Sequence, residues 1–239
     1  MTRHLSIPVN RPVWTIAALG LMLGVPAGLS ATGSAAAAAG AATLSVDKRC
    51  YVITKRIPWM TITGSGYQPH SHVLITSTAN IDASATADDA GRISVRVRAP
   101  APHFSVPSVK LFEFTAKDEN VTPAIGARTR ARVAPFGALH GSTPRAPGLK
   151  ALTEPTKWSF SGFTPGRTVF GHYTIKGRQV ARTAFGVAHG DCGMLHTRAP
   201  LYPATPHHAS YPVQFDSVQG YSPKTTPRLT GRVSLNTSF

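Results

Sequence analysis

The chain is 239 residues long and carries 25 Lys and Arg against 10 Asp and Glu, a formal net charge of +15. Its hydrophobic fraction of 42% is too high for a disordered polycation, and its 2 Cys are too few for a disulfide-dense miniprotein. The 21 Gly and 20 Pro follow no G-X-Y period, which excludes collagen.

Residues 1–42 read as a targeting segment. Arg3 and Arg11 precede an apolar stretch from Val13 to about Leu29, and a small-residue run from Ser30 to Ala42 follows, with A-x-A-like sites such as Ala35 to Ala37. Positive region, apolar core and small-residue cleavage region are the order of a secretory signal peptide. A retained anchor is the alternative, but a span needs ~20 apolar residues. Gly20, Gly24, Pro26 and Gly28 also interrupt this stretch as a helix. The expectation is a cleaved signal and a secreted or cell-envelope-associated mature chain, without a transmembrane span. Cys50 and Cys192 then meet oxidising conditions as an isolated pair. They are read as a disulfide candidate, with two buried free thiols as the alternative.

Beyond residue 42 the chain reads as short strands. Tyr51 to Ile53 and Trp59 to Thr63 are rich in β-branched and aromatic residues, and Val73 to Thr76 follows a Gly-aromatic-Pro turn. Arg92 to Arg98 alternates strictly, with Ile93, Val95 and Val97 on one face. Val109 to Thr115 is mostly apolar, as a strand covered on both sides would be. Ala127 to Val133 closes the series as a basic alternating run. The same slots are filled again by Lys157 to Phe160, Thr168 to Ile175, Val180 to Phe185, Met194 to Arg198, Tyr211 to Asp216 and the basic run Arg228 to Leu235.

The repetition is visible at the residue level. Gly64-Ser65-Gly66-Tyr67-Gln68-Pro69 lies on Phe160-Ser161-Gly162-Phe163-Thr164-Pro165, with Val73 and Val169 each four residues after the Pro. Downstream, Asp89-Ala90-Gly91 matches Asp191-Cys192-Gly193, Ala99-Pro100 matches Ala199-Pro200, and Val109 to Phe114 echoes Tyr211 to Asp216. A period near 100 residues is a domain period. Residues 43–134 and 135–239 are accordingly read as two domains of one type. Pro135, Gly137, Gly141, Pro144, Pro147 and Gly148 mark a linker, or a linker plus a first strand. Regularly spaced short strands argue an all-β sandwich. In the repeated turn the Gly supplies a positive φ, the aromatic turns into the core, and the Pro ends the strand.

The G-S-G-Y-x-P and S-G-F-T-P-G segments, the later Asp-x-Gly turn and the closing Ala-Pro resemble bacterial secreted immunoglobulin-like domains. The resemblance implies two tandem immunoglobulin-like β-sandwich domains serving as adhesive, structural or spacer modules. It carries no catalytic residues onto this chain. Each copy holds one Cys, so any bridge joins the two domains or two chains.

Chemistry-bearing clusters are few. His189, Cys192 and His196 form an H-x2-C-x3-H group, a weak metal candidate and, through a thiolate beside imidazole, a weak nucleophile candidate. His70 with His72, and His207 with His208, read as solvated loop polarity. Asp88-Asp89-Ala90-Gly91 lacks the further acids of a calcium loop and reads as a turn. Phe170-Gly171-His172-Tyr173 and Phe185-Gly186 are either core aromatics or the lining of a groove. There is no G-x-S-x-G elbow, phosphate-cradling loop or H-E-x-x-H.

The charge is the stronger signal. Arg92, Arg96 and Arg98 share one strand face, and Arg128, Arg130 and Arg132 alternate on another. Exposed, these ladders attract polyanions; otherwise they solvate the surface and blunt strand edges. The reading is a non-enzymatic exported binding or structural module at the cell envelope, without cofactor. Its expected partners are envelope polyanions or another extracellular protein, with no sequence-specific nucleic acid. A metal-binding surface protein and a Cys192-centred enzyme are the alternatives.

Overall fold

The computed structural model describes residues 41–101, 103, 107–121, 124–141 and 148–234. The signal-peptide reading of residues 1–42 therefore lies, through residue 40, outside the described residues. Among the described residues no helix is long and apolar enough to cross a membrane.

Fifteen strands and one 3-10 turn make up the described chain. In the first half these are β1 (Thr43–Val46), β2 (Cys50–Ile53), β3 (Trp59–Ser65), β4 (His72–Ser77), β5 (Ala83–Thr86), β6 (Ile93–Arg98), β7 (Lys110–Asp118) and β8 (Gly126–Pro135). β9 (Gly137–Gly141) opens the second half and the 3-10 turn Gly148–Thr153 follows. Then come β10 (Pro155–Ser161), β11 (Thr168–Ile175), β12 (Arg178–Val187), β13 (Leu195–Pro200), β14 (Ser210–Asp216) and β15 (Leu229–Ser234).

The strands assemble as two β-sandwiches in tandem. In the first, sheet β1-β3-β6 packs on sheet β2-β8-β7-β4-β5; in the second, β9-β10-β13 packs on β12-β11-β14-β15. All pairings are antiparallel except β2 with β8, which run parallel. Alternation does the work the sequence announces. Met60, Ile62, Ile93 and Val97 face inward from one sheet onto Val73, Ile75, Phe114 and Val133 from the other. The second core is aromatic: Trp158, Phe160, Phe163, Tyr173, Phe185 and Phe215 are buried together, with ring centroids of adjacent pairs about 5–6 Å apart.

The repeated corner is built as the sequence implies, and the structure adds its second half. Gly66 and Gly162 have φ of 86° and 80°, and Tyr67 and Phe163 are buried. The Asp-x-Gly turn locks onto this corner from above. Tyr67 N–H donates to Gly91 O at 3.2 Å, and Phe163 N–H donates to Gly193 O at 3.3 Å. Gly91 and Gly193 sit at φ of 68° and 56°, so close to the corner that a Cβ on either would overlap the carbonyl oxygen of Tyr67 or Phe163. The two sequence motifs are one device, with the glycines chosen by contact as much as by conformation.

Two expectations need correction. Strand β7 is not covered on both sides: Leu111 is 54% exposed, and the fully buried positions Phe114, Ala116 and Asp118 all lie on one face. Against β4 and β11, aligned at Val73 and Val169, Ser77 pairs with Phe114 and Tyr173 pairs with Val213. Val213, not Asp216, therefore occupies the position of Phe114, and the echo drawn from sequence is three residues out. At the junction the strand alternative holds: β8 ends at Pro135, β9 begins at Gly137, and Phe136 N–H donates to Ile53 O at 2.7 Å. The sequence reading does not anticipate β1 and β5: both are only four residues long, and Ala-Ser-Ala-Thr is weak in β-propensity.

Candidate functional site

Cys50 and Cys192 are bonded to each other across 142 residues of sequence, joining β2 of the first sandwich to the Asp-x-Gly turn of the second. Beside the bridge, Asp191 receives Arg132 at 3.1 Å and Arg49 at 3.9 Å. β2 places Cys50 opposite Arg132 in register, so disulfide and ion pairs form one clasp. The bonded sulfur of Cys192 has no thiolate to offer a metal or a substrate, which retires the nucleophile and metal readings built on it. His189 engages Met194 through backbone hydrogen bonds at the turn, and His196 Nδ1 lies 3.1 Å from Ser159 Oγ. Among the described residues no group of three or more His, Cys, Asp or Glu could hold a metal ion.

Of the aromatic-glycine pairs of the second copy, Phe185 and Gly171 are core, while Phe170 is half-buried on the outer face with Arg182 5.5 Å from its ring centroid. A Cβ at Gly171 would lie 2.7 Å from the Phe185 ring and 3.3 Å from that of Phe215, so the glycine makes room for both. On the other face of β11, His172 is fully buried, with Nδ1 2.9 Å from Gln179 Oε1 and Nε2 3.2 Å from Asp216 Oδ1. Gln214 Nε2 donates to Asp216 Oδ2 at 2.6 Å and to Ser222 O at 2.9 Å. This network fastens the segment after β14 over the sheet.

The six arginines fall on two different sheets. Arg128, Arg130 and Arg132 are outward on β8, and all three meet acids. Arg128 and Arg130 lie 3.6 and 3.3 Å from the Glu113 carboxylate, with Glu113 facing Arg130 in register, and Arg132 meets Asp191. Arg92, Arg96 and Arg98 are outward on or beside β6 in the three-stranded sheet. Among the described residues no carboxylate pairs with any of these three. Arg92 lies in the turn where Asp88 Oδ1 accepts its backbone N–H at 2.8 Å, so that acid tempers the local charge.

Arg96 and Arg98 have a different neighbour. β3 and β6 place Trp59 directly opposite Arg98 and Thr61 opposite Arg96. The Arg98 guanidinium stacks 3.8 Å from the Trp59 ring centroid and that of Arg96 lies at 4.8 Å. Arg98 Nη1 also donates to Ile57 O at 2.9 Å. An arginine pinned by both a ring and a carbonyl loses little entropy on meeting an anion. The β2–β3 loop adds exposed Lys55 and Arg56, again without a carboxylate partner among the described residues, and Ile57 and Trp59 are 39% and 40% exposed. The one acid placed along this part of β3 is engaged: Asp47 Oδ1 accepts Thr61 N–H at 2.7 Å and Tyr51 O–H at 2.6 Å. Burial works against its charged form, but these hydrogen bonds outweigh it and hold the carboxyl below its usual range. The result is a basic corner around an exposed indole. Arg96 and Arg98 were visible in the sequence; Lys55, Arg56 and Trp59 were missed as contributors. The compact Lys-Arg-Ile-Pro-Trp run ahead of a strand was the available signal.

No protein-family model matches the chain, and no curated protein matches it. Among solved structures, the chain is similar to a tetra-tandem repeat from the extending region of a large adhesion protein, at 15% identity and a TM-score of 0.28. That match covers 82% of this chain and 49% of the other, so the chain spans about half the length of that protein. It is also similar to the YadV chaperone (12% identity, TM-score 0.26, 80% of this chain and 99% of that one). A third similarity is to the periplasmic chaperone SfaE (14% identity, TM-score 0.23, 71% and 91%).

Proposed function

We propose that the protein is an exported, non-catalytic binding and structural module of the cell envelope, which meets anionic polymers through the basic corner of its first sandwich. The observation that carries this reading is the distribution of partners. The arginines of β8 are matched to Glu113 and Asp191, whereas Lys55, Arg56, Arg96 and Arg98 have no acid among the described residues. Unmatched clustered cations hold a positive potential that recruits anions and weakens with salt. The Cys50–Cys192 bridge supports an oxidising destination.

The test is retention of the protein on an anionic resin under a rising salt gradient. Reversing Arg96 and Arg98 to Glu lowers the eluting salt concentration markedly, while reversing Arg128 and Arg130 lowers it less. Equal shifts from both pairs reduce the effect to net charge and overturn the reading, as does no shift from the first pair.

A further inference from the structure

The basic corner contains more than charge. A polyanion held by charge alone needs only cations, and three exposed lysines would serve it. Here the cations surround Ile57 and Trp59, two large apolar side chains each about 40% exposed, on the edge of an otherwise polar sheet face. Apart from Trp59, the outward positions along β1 and β3 are hydroxyls: Thr43 Oγ1 meets Ser65 Oγ at 2.8 Å and Ser45 Oγ meets Thr63 Oγ1 at 2.9 Å.

We infer that the corner formed by Lys55, Arg56, Ile57, Trp59, Arg96 and Arg98 binds an acidic polysaccharide whose sugar rings carry carboxylates. This rests on the reading of the chain as a polyanion-contacting module and names the polymer class. The planar Arg98 guanidinium, already fixed on the indole and by Ile57 O, offers its remaining N–H groups edge-on, the geometry that pairs with a planar carboxylate. The exposed part of the indole presents an electron-rich surface to the polarised C–H bonds of a pyranose ring. A uronate unit has both features within one ring. Nucleic acid fits less well, because strand-tracking proteins stack successive bases on several aromatics, and this corner has one exposed ring. An anionic bilayer would call for a wider apolar surface than two side chains.

The experiment is equilibrium binding of the full protein to polygalacturonate at fixed salt, with linear polyphosphate, double-stranded DNA and phosphatidylglycerol vesicles as the other arms. The expected result is saturable binding that is tightest for polygalacturonate. Trp59→Ala weakens it at least tenfold and weakens polyphosphate binding less than twofold, while Trp59→Phe retains most of it. If Trp59→Ala lowers the denaturation midpoint, Trp59→Phe and Arg98→Gln carry the test, the first keeping and the second losing polygalacturonate. Unchanged polygalacturonate binding in Trp59→Ala, equal losses on both polymers, or tighter binding to DNA or vesicles overturns the inference. If Arg96→Gln with Arg98→Gln still abolishes binding to every polyanion, the broader polyanion reading survives that failure. If wild type binds none of them, both fall.

Discussion

Where the first sandwich pairs Trp59 with Arg98 across β3 and β6, the second pairs Pro155 with Pro200 across β10 and β13. Where the first sandwich runs β2 parallel to β8, the second has the 3-10 turn Gly148–Thr153 before β10. On the larger sheet the asymmetry reverses. Thr76 and Lys117 of the first sandwich take the places of His172 and Asp216, which lie fully buried in the second. One strand plan thus serves two ends. The first copy keeps its outer face open and charged, and the second spends its outer polar groups on holding down its own loop. Shared topology says little about shared function when the register positions that differ are the outward ones.

The comparison can be broken at several points. The strongest perturbation is expected where the copies agree. Gly193→Ala should cost at least ~4 kcal/mol, combining a strained left-handed φ with overlap on Phe163 O, and Gly91→Ala somewhat less. Urea unfolding of both variants checks this, and a loss under ~1 kcal/mol in either would show that the turn relaxes freely. Asp216→Ala should cost about 3 kcal/mol, because it strands His172 and Gln214 in the interior. Lys117→Ala at the matching position should change stability by no more than ~0.5 kcal/mol.

Replacing both cysteines by serine should cost about 2–5 kcal/mol, since the bridge closes a long loop. Unfolding in the presence and absence of reductant gives the same comparison without mutation.

Acid should weaken the first sandwich. Asp118, like Asp47, is held below the usual carboxylate range. Burial opposes its charge, and hydrogen bonds from the Asn120 and Gln68 N–H groups overcome that opposition. A depressed carboxyl adds stability that is complete above its unfolded pKa of ~3.9 and disappears as pH falls through the folded value. Stability should therefore drop as pH falls below ~4, and Asp118→Asn should flatten that slope. A small effect is also expected of Glu113→Gln, which releases only exposed arginines and should cost under ~1 kcal/mol in urea unfolding.

Much of the fold was legible because its signals are local. Strict alternation in β6, the Gly-aromatic-Pro corner and the Asp-x-Gly turn each constrain a few neighbouring residues, and each is found where the pattern put it. The slip between β7 and β14 shows the limit. A hydrophobic echo between two apolar strands fits at several offsets, and only pairing with β4 and β11 selects one. The basic corner was half legible for a related reason. Arg96 and Arg98 lie on one alternating strand, but Trp59 reaches them across a sheet and nearly forty residues of sequence. Nothing in the sequence revealed that Glu113 and Asp191 would neutralise the other arginines.

The covalent clasp also governs how the molecule would carry load. Cys50 lies just after β1, and Cys192 sits between β12 and β13. Tension applied at the two ends passes through the sulfur–sulfur bond and skips the 142-residue stretch it encloses, roughly 500 Å of chain if drawn straight. Most of the first sandwich and the opening strands of the second are shielded from being reeled out, while β1 and the strands from β13 onward bear the pull. Pulled singly, an oxidised molecule should yield a much shorter extension than a reduced one.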